Sequence, residues 1–237
     1  MSSPIALTCG DPNGIGIDIT FKAKKALKNN IPFFLIADIN HVSLRNGSQY
    51  FQEIQHPKEC LSIDENILPV LHHEFPEIPT LGGSQPGNAL ATTKVIKRAV
   101  NLFQNNEINA ICTNPINKEV LKKGCDFKYP GHTEYLAHLA GLNNSVMMLI
   151  CKELRVVPTT IHISLKDVPN LLTKELITNT VITTRNALIN DFGIINPKIA
   201  ISGLNPHAGE NGTFGDEEIH IIQPAVQILK NEGLNII

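Results

Sequence analysis

Two histidines stand in loops where an imidazole can bind a divalent metal or move a proton near neutral pH. His162 follows the apolar pair Val156-Val157, and His207 lies inside Gly203-Leu204-Asn205-Pro206-His207-Ala208-Gly209-Glu210. The second stretch follows Ile199-Ala200-Ile201 and precedes Gly212, Gly215 and an acidic helix start. Its ring therefore belongs on a tight loop at the carboxyl end of a strand, where open α/β folds bind ligands. Catalytic zinc commonly takes three protein ligands and keeps one position open, so two histidines are one short. Taken singly, each also fits a hydrogen-bonded structural histidine.

Three further stretches could do chemistry. In Pro130-Gly131-His132-Thr133-Glu134, the helix that follows offers an anion its free N–H groups, its positive dipole end and the Thr133 hydroxyl. His132 would add a donor or a charge; the alternative is that Thr133 merely caps the helix. Thr113-Asn114-Pro115-Ile116-Asn117-Lys118 ends a strand with a lysine, which either holds a carboxylate or phosphate or stands solvated at a helix start. Gly10-Asp11-Pro12-Asn13-Gly14-Ile15-Gly16 is neither a Walker loop nor the spaced G-x-G-x-x-G fingerprint. It reads as a strand-to-helix turn whose glycines allow φ > 0 and close packing. His41, His56, His72, His73, His138 and His220 lack such context and read as surface residues.

The elements that must position these groups alternate between strand and helix patterns, which predicts an α/β fold with a largely parallel sheet. Ile5–Cys9 and Pro32–Ala37 read as buried strands, with a helix between them from the glycine turn to about Asn29. Residues 40–80 give no clear pattern. Asn88 reads as the N-cap of a helix with Ala91, Val95, Ala99 and Leu102 on one face, leading to a strand at Ile108–Thr113. A short helix opens at Gly131-His132-Thr133 and is ended by Gly141. Strands are expected at Val146–Cys151, Val156–Ile163 and Lys198–Ser202, and a helix at Leu171–Phe192. The last helix opens at Asp216 and should kink at Pro224. Ile237 falls in what reads as the beginning of a strand, so the domain looks cut short.

Composition sets the class. The 237 residues are 42% hydrophobic and 18% charged with a net charge of −2, which describes a globular protein and gives no basic surface for nucleic acid or anionic membrane. No apolar run approaches a bilayer span, and no signal peptide opens the chain. Five cysteines, an odd number without a C-x-x-C pair, suit a reduced cytoplasmic setting. No Gly-x-Ser-x-Gly elbow points to an α/β hydrolase.

The five motifs stand in the order found in 4-hydroxythreonine-4-phosphate dehydrogenases of pyridoxine (vitamin B6) biosynthesis, and the chain resembles that family from residue 5 to its last residue. The motifs are Gly10–Gly16, Thr113–Lys118, Pro130–Ala137, Thr159–Ile163 and Gly203–Glu210. The resemblance implies a two-domain fold like that of isocitrate and isopropylmalate dehydrogenases, here C-terminally truncated. Residues 1–129 would form the first domain and 130–237 the second, which carries the metal-ligand histidines. It implies a homodimeric, cytoplasmic oxidoreductase whose active site lies at the dimer interface. NAD and a divalent metal ion (zinc, magnesium or cobalt) would be its cofactors.

By position, His132 and Thr133 would bind the substrate, and His162 and His207 the metal; no NAD-binding residue is assigned. The implied reaction oxidises 4-phosphooxy-L-threonine to the 3-keto acid, which loses carbon dioxide to give 3-amino-2-oxopropyl phosphate. The family continues past the point matching Ile237, and that part supplies a third metal histidine and basic substrate contacts. Two alternatives fit the same motifs: a dehydrogenase of another phosphorylated hydroxy acid such as a phosphothreonate, and an inactive remnant that only binds ligand.

Overall fold

The structure is a computed structural model that describes residues 3–142 and 145–237. It divides into two compact units, Met1–Ser145 and Val146–Ile237.

The first unit is built on five parallel strands: β1 (Ile5–Thr8), β2 (Phe33–Ala37), β3 (Phe51–Ile54), β4 (Leu68–His72) and β5 (Ala110–Thr113), in the order β3-β4-β2-β1-β5. The run Phe33-Phe34-Leu35-Ile36-Ala37 is buried throughout, as expected of a central parallel strand covered on both faces. Helix α1 (Gly16–Leu27) links β1 to β2 and α2 (Ile39–Asn46) follows β2. Helix α3 (Ala89–Gln104) turns Ala91, Val95 and Ala99 into the core around Phe34, Ile36 and Val70. The unit closes with α4 (Lys118–Cys125) and α5 (His132–Leu139). Because β1 has β2 on one side and β5 on the other, the chain changes direction at β1. The loops after β1 and β5 thus meet outside adjacent carboxyl ends, the usual ligand crevice of such sheets.

In this unit several expectations need correction. Asn88 does not cap α3: its side chain accepts from the Glu77 N–H and donates to the Glu77 carbonyl, at 3.0 Å each, tying an upstream loop to the helix start. His41 is only 3% exposed and its Nε2 lies 3.1 Å from the Glu77 carbonyl, so it is a core histidine. His72 and His73 are half-buried. Residues 40–80 hold two strands, and Pro69 inside the doubly paired β4 is what hid one of them, since proline removes a ladder donor. Helix α5 lies within the first compact unit. Phe127 packs T-shaped against Tyr129 and Tyr135, and the two tyrosine rings are tilted against each other, with ring centroids 5.0–5.3 Å apart; the Tyr135 hydroxyl donates to the Thr93 carbonyl of α3.

The second unit contains the short antiparallel pair β6 (Leu149–Ile150) and β7 (Arg155–Val156), then α6 (Val168–Leu171), α7 (Lys174–Asn190) and α8 (Gln223–Asn231). Its core gathers Ile177, Val181, Ile222, Ala225 and Leu229. The strands expected at 146–151, 156–163 and 198–202 shrink to this hairpin and one parallel bridge, Ile199 to Ile236. A cavity of about 710 Å³ is lined by Val156, Val157 and Thr159 and by Lys198–Ser202, and these two segments do not pair with each other. Residues 234–237 do run beside 199–201, with the Ile237 N–H donating to the Ile199 carbonyl. Pro224 stands in the first turn of α8, directly after a π-turn at Glu218–Ile222.

Candidate functional site

At the carboxyl ends of β1 and β5, two loops lock together. The Asp11 N–H donates to the Pro115 carbonyl (2.9 Å), and Asn114 Nδ2 donates to Thr20 Oγ1 of α1 (2.9 Å). Gly16 starts α1 so close to the strand that a Cβ there would stand 2.2 Å from the Cys9 carbonyl oxygen. Gly10 has φ +72° and would press a Cβ to 2.4 Å from the Pro115 carbonyl oxygen. These glycines serve packing, as the turn reading expects. Asn13 is 4% exposed and its Nδ2 donates to the Gly83 carbonyl.

The Thr113–Lys118 stretch ends at a true helix start. The Asn117 side chain accepts from the Glu119 and Val120 N–H groups, so Lys118 occupies the first position of α4. Its ammonium reaches toward the start of α5, where a Cβ on Gly131 would lie 3.5 Å from Lys118 Nζ. Gly131, not Thr133, stands at the N-cap of α5, and among the described residues no side-chain cap hydrogen bond is made there. His132 is half-buried, and its Nε2 is buried without a hydrogen-bond partner. Burial, and next the Lys118 charge, hold the His132 pKa below its ordinary value. A cation beside the positive end of a helix is electrostatically unfavourable by itself. The Glu134 carboxylate offsets part of that charge, its Oε2 lying 3.6 Å from the same Gly131 Cβ position, and an anion beside Lys118, His132 and the helix start would offset the rest. Lys118 at the start of α4 thus lies close to the first turn of α5, which holds His132 and Thr133.

In the second unit, His207 sits on a loop with unusual backbone. Ala208, Gly209, Glu210, Asn211 and Gly212 have φ of 47°, 71°, 40°, 57° and 95° in succession. Three of these are not glycine, and each costs on the order of 1 kcal/mol in the left-handed region. Asn205 holds the turn: its Oδ1 accepts from the His207 N–H at 2.9 Å and its Nδ2 donates to the Phe214 carbonyl at 3.1 Å. The His207 ring lies 5.3 Å from the Phe214 ring, and its Nδ1 pairs with Glu210 Oε1 at 2.9 Å. That leaves Nε2 on an exposed side chain. A carboxylate on one ring nitrogen with the other free is the usual arrangement of a metal-binding histidine, so His207 fits a divalent ion. His162 is exposed, in a bend and at φ +58°. Among the described residues, no three His, Cys, Asp or Glu side chains form a metal-holding group.

Reasoning from sequence missed Glu210 and Glu218. Glu210 was visible as a carboxylate three residues after His207, but Glu218 was read only as a first-turn helix acid.

The family model described as pyridoxal phosphate biosynthetic protein PdxA matches residues 19–237. The 4-hydroxythreonine-4-phosphate dehydrogenase of Paracoccus denitrificans (strain Pd 1222) is 45% identical over 237 residues, covering 98% of this chain and 71% of that protein. That of Roseobacter denitrificans is 43% identical, covering 99% and 72%. The crystal structure of 4-hydroxythreonine-4-phosphate dehydrogenase from Klebsiella pneumoniae superposes with a TM-score of 0.90 at 35% identity, covering all of this chain and 74% of that one. The α/β architecture and the ordered motifs thus agree with both comparisons, and the chain belongs to the PdxA family of 4-hydroxythreonine-4-phosphate dehydrogenases.

Proposed function

We propose that the chain takes part in NAD-dependent, metal-dependent oxidation of 4-phosphooxy-L-threonine, with decarboxylation of the resulting 3-keto acid, in pyridoxal phosphate biosynthesis. The observation that supports this is the closeness of Lys118 Nζ and the unpartnered His132 Nε2 to the start of α5, an arrangement that would seat an anion. It suits the phosphate or carboxylate of a small phosphorylated hydroxy acid. Lys118 supplies fixed charge, the α5 N–H groups supply oriented donors, and His132 Nε2 supplies a proton to the bound anion. Thr133, in the same turn, adds its hydroxyl.

His162 and His207 would hold the divalent ion, zinc, magnesium or cobalt. When bound, that ion supplies Lewis acidity for alcohol oxidation and decarboxylation, while NAD accepts the hydride. Glu210 keeps the Nδ1–H tautomer of His207 so that Nε2 faces outward with its lone pair. Two such chains would complete the site as a homodimer, in the cytoplasm. No helix among the described residues is long and apolar enough to cross a membrane.

The test is direct. Inorganic phosphate and 4-phosphooxy-L-threonine are titrated into the protein and into Lys118→Ala. NADH is followed at 340 nm (about the usual nicotinamide band) with NAD and each metal. Substrate binding weakened about tenfold or more in the variant, with metal-dependent NADH formation by the unaltered chain, supports the reading. Unaltered binding in the variant removes the anion seat, and binding without NADH leaves a ligand-binding chain. Faster NADH formation from a phosphothreonate moves the substrate to that class.

A further inference from the structure

We propose that Glu218 is a positioning residue that fixes the His207 loop from beneath, an assignment whose zinc-binding consequence rests on the metal reading of His207. Glu218 is 6% exposed and stands in the π-turn before α8. Its Oε1 accepts from the Leu204 N–H at 2.8 Å, three residues ahead of His207. Its Oε2 is buried and has no hydrogen-bond partner. Two glycines make room for the carboxylate. A Cβ on Gly203 would lie 3.2 Å from Oε1, and one on Gly209 would lie 2.9 Å from Oε2.

The carboxylate thus lies beside both ends of the His207 turn, hydrogen-bonded to the Leu204 N–H on one side and facing the left-handed Gly209 without a hydrogen bond on the other. Burying a carboxylate with one oxygen unsatisfied is unfavourable for folding alone. Strained loops persist only where their surroundings over-determine them, and here Glu218 adds a buried acceptor at Leu204 to the hydrogen bonds that Asn205 makes within the turn. A π-turn is a recurrent local device at functional sites. In this chain it places the Glu218 carboxylate beside the loop, before the start of α8.

The role is that of a hydrogen-bond acceptor, so glutamine should substitute and alanine should not. The experiment uses the whole chain, metal-free at first. Long-range 1H–15N spectra of the histidine rings report the His207 tautomer, and zinc is then titrated by calorimetry. In the unaltered protein and in Glu218→Gln, His207 is expected as the Nδ1–H form paired with Glu210, with zinc affinities within about threefold of each other. In Glu218→Ala the ring should revert to the ordinary tautomer mixture and zinc should bind about 10–100-fold more weakly. Thermal unfolding should remain a single cooperative event in both variants.

An unchanged His207 ring signal in Glu218→Ala overturns the proposal, as does a glutamine variant as impaired as the alanine one. His207→Ala separates the two readings. If it leaves zinc binding unchanged, the metal assignment fails, and the ring spectra alone still decide whether Glu218 positions the loop.

Discussion

His132 carries the sharpest expectation for a single side chain. Its pKa is held down first by burial and then by Lys118, so in the free protein it stays neutral to a lower pH than an ordinary histidine. An anion seated between the two reverses the balance: it offsets the Lys118 charge and favours the imidazolium. Saturating inorganic phosphate should therefore raise the His132 pKa in an NMR titration, and phosphate should bind more tightly as pH falls toward 6 (near the ordinary histidine value). A His132 pKa indifferent to phosphate would remove the ring from the seat. Glu210 is testable in the same way. Glu210→Ala should weaken zinc at His207 about 10–100-fold, the usual effect of losing the carboxylate behind a metal histidine. His132, His162 and His207 stood out in the sequence because histidines in turn-forming contexts are uncommon. It did not show Glu218, because a glutamate at a helix start has an ordinary dipole explanation, and only burial betrays the other role.

The secondary-structure elements that hold these groups were legible where one pattern dominated. The five-residue apolar run of β2 and the spaced alanines and valine of α3 correspond to observed elements. Gly141, expected to end α5, has φ +73° and donates its N–H to the His138 carbonyl. Failures came where a long-range partner decides. Asn88 has every local reason to cap α3, yet its amide is taken by Glu77. The strands expected after Val146 depend on neighbours that the sequence pattern cannot supply. Two substitutions test the elements behind the anion seat. Asn117→Ala removes the cap that accepts from Glu119 and Val120, and should cost about 1 kcal/mol of stability by chemical denaturation. It should also weaken phosphate binding, since Lys118 is the next residue. Gly16→Ala drives a Cβ into the Cys9 carbonyl and should cost about 1–3 kcal/mol or more, as overpacking does. A Gly16→Ala protein with unaltered stability would mean that α1 can withdraw from β1 without loss.

Across the whole molecule, the histidines set how stability responds to acid. His41 and His73, like His132, lie in the first compact unit, and all three have pKa values below the ordinary histidine value. For His41 burial is the chief cause, opposed by Asp38 and by the Glu77 carbonyl. For His73 burial is again first, followed by the charges of Arg98, His72 and Lys94, with Asp38 opposing. The sign follows from proton counting. The unfolded chain takes up these protons as pH falls through about 6.5, whereas the folded unit takes them up only at lower pH. Between those limits the unfolded state binds more protons, so stability falls with pH and stops falling once the folded pKa values are passed. Unfolding free energy measured by urea from pH 8 down to 5.5 should therefore be flat at first and then decline below about 6.5. His73→Gln is the informative variant, because His41 also bonds the Glu77 carbonyl and packs its ring 5.2 Å from Phe75. Removing His73 should make the acid decline shallower without moving the plateau much. A His73→Gln profile parallel to that of the unaltered chain would mean that His73 titrates alike in the folded and unfolded states. The same experiment repeated with saturating phosphate links the seat to the fold. Phosphate that raises the His132 pKa removes its share of the acid loss, so stability gained from the ligand should grow as pH falls.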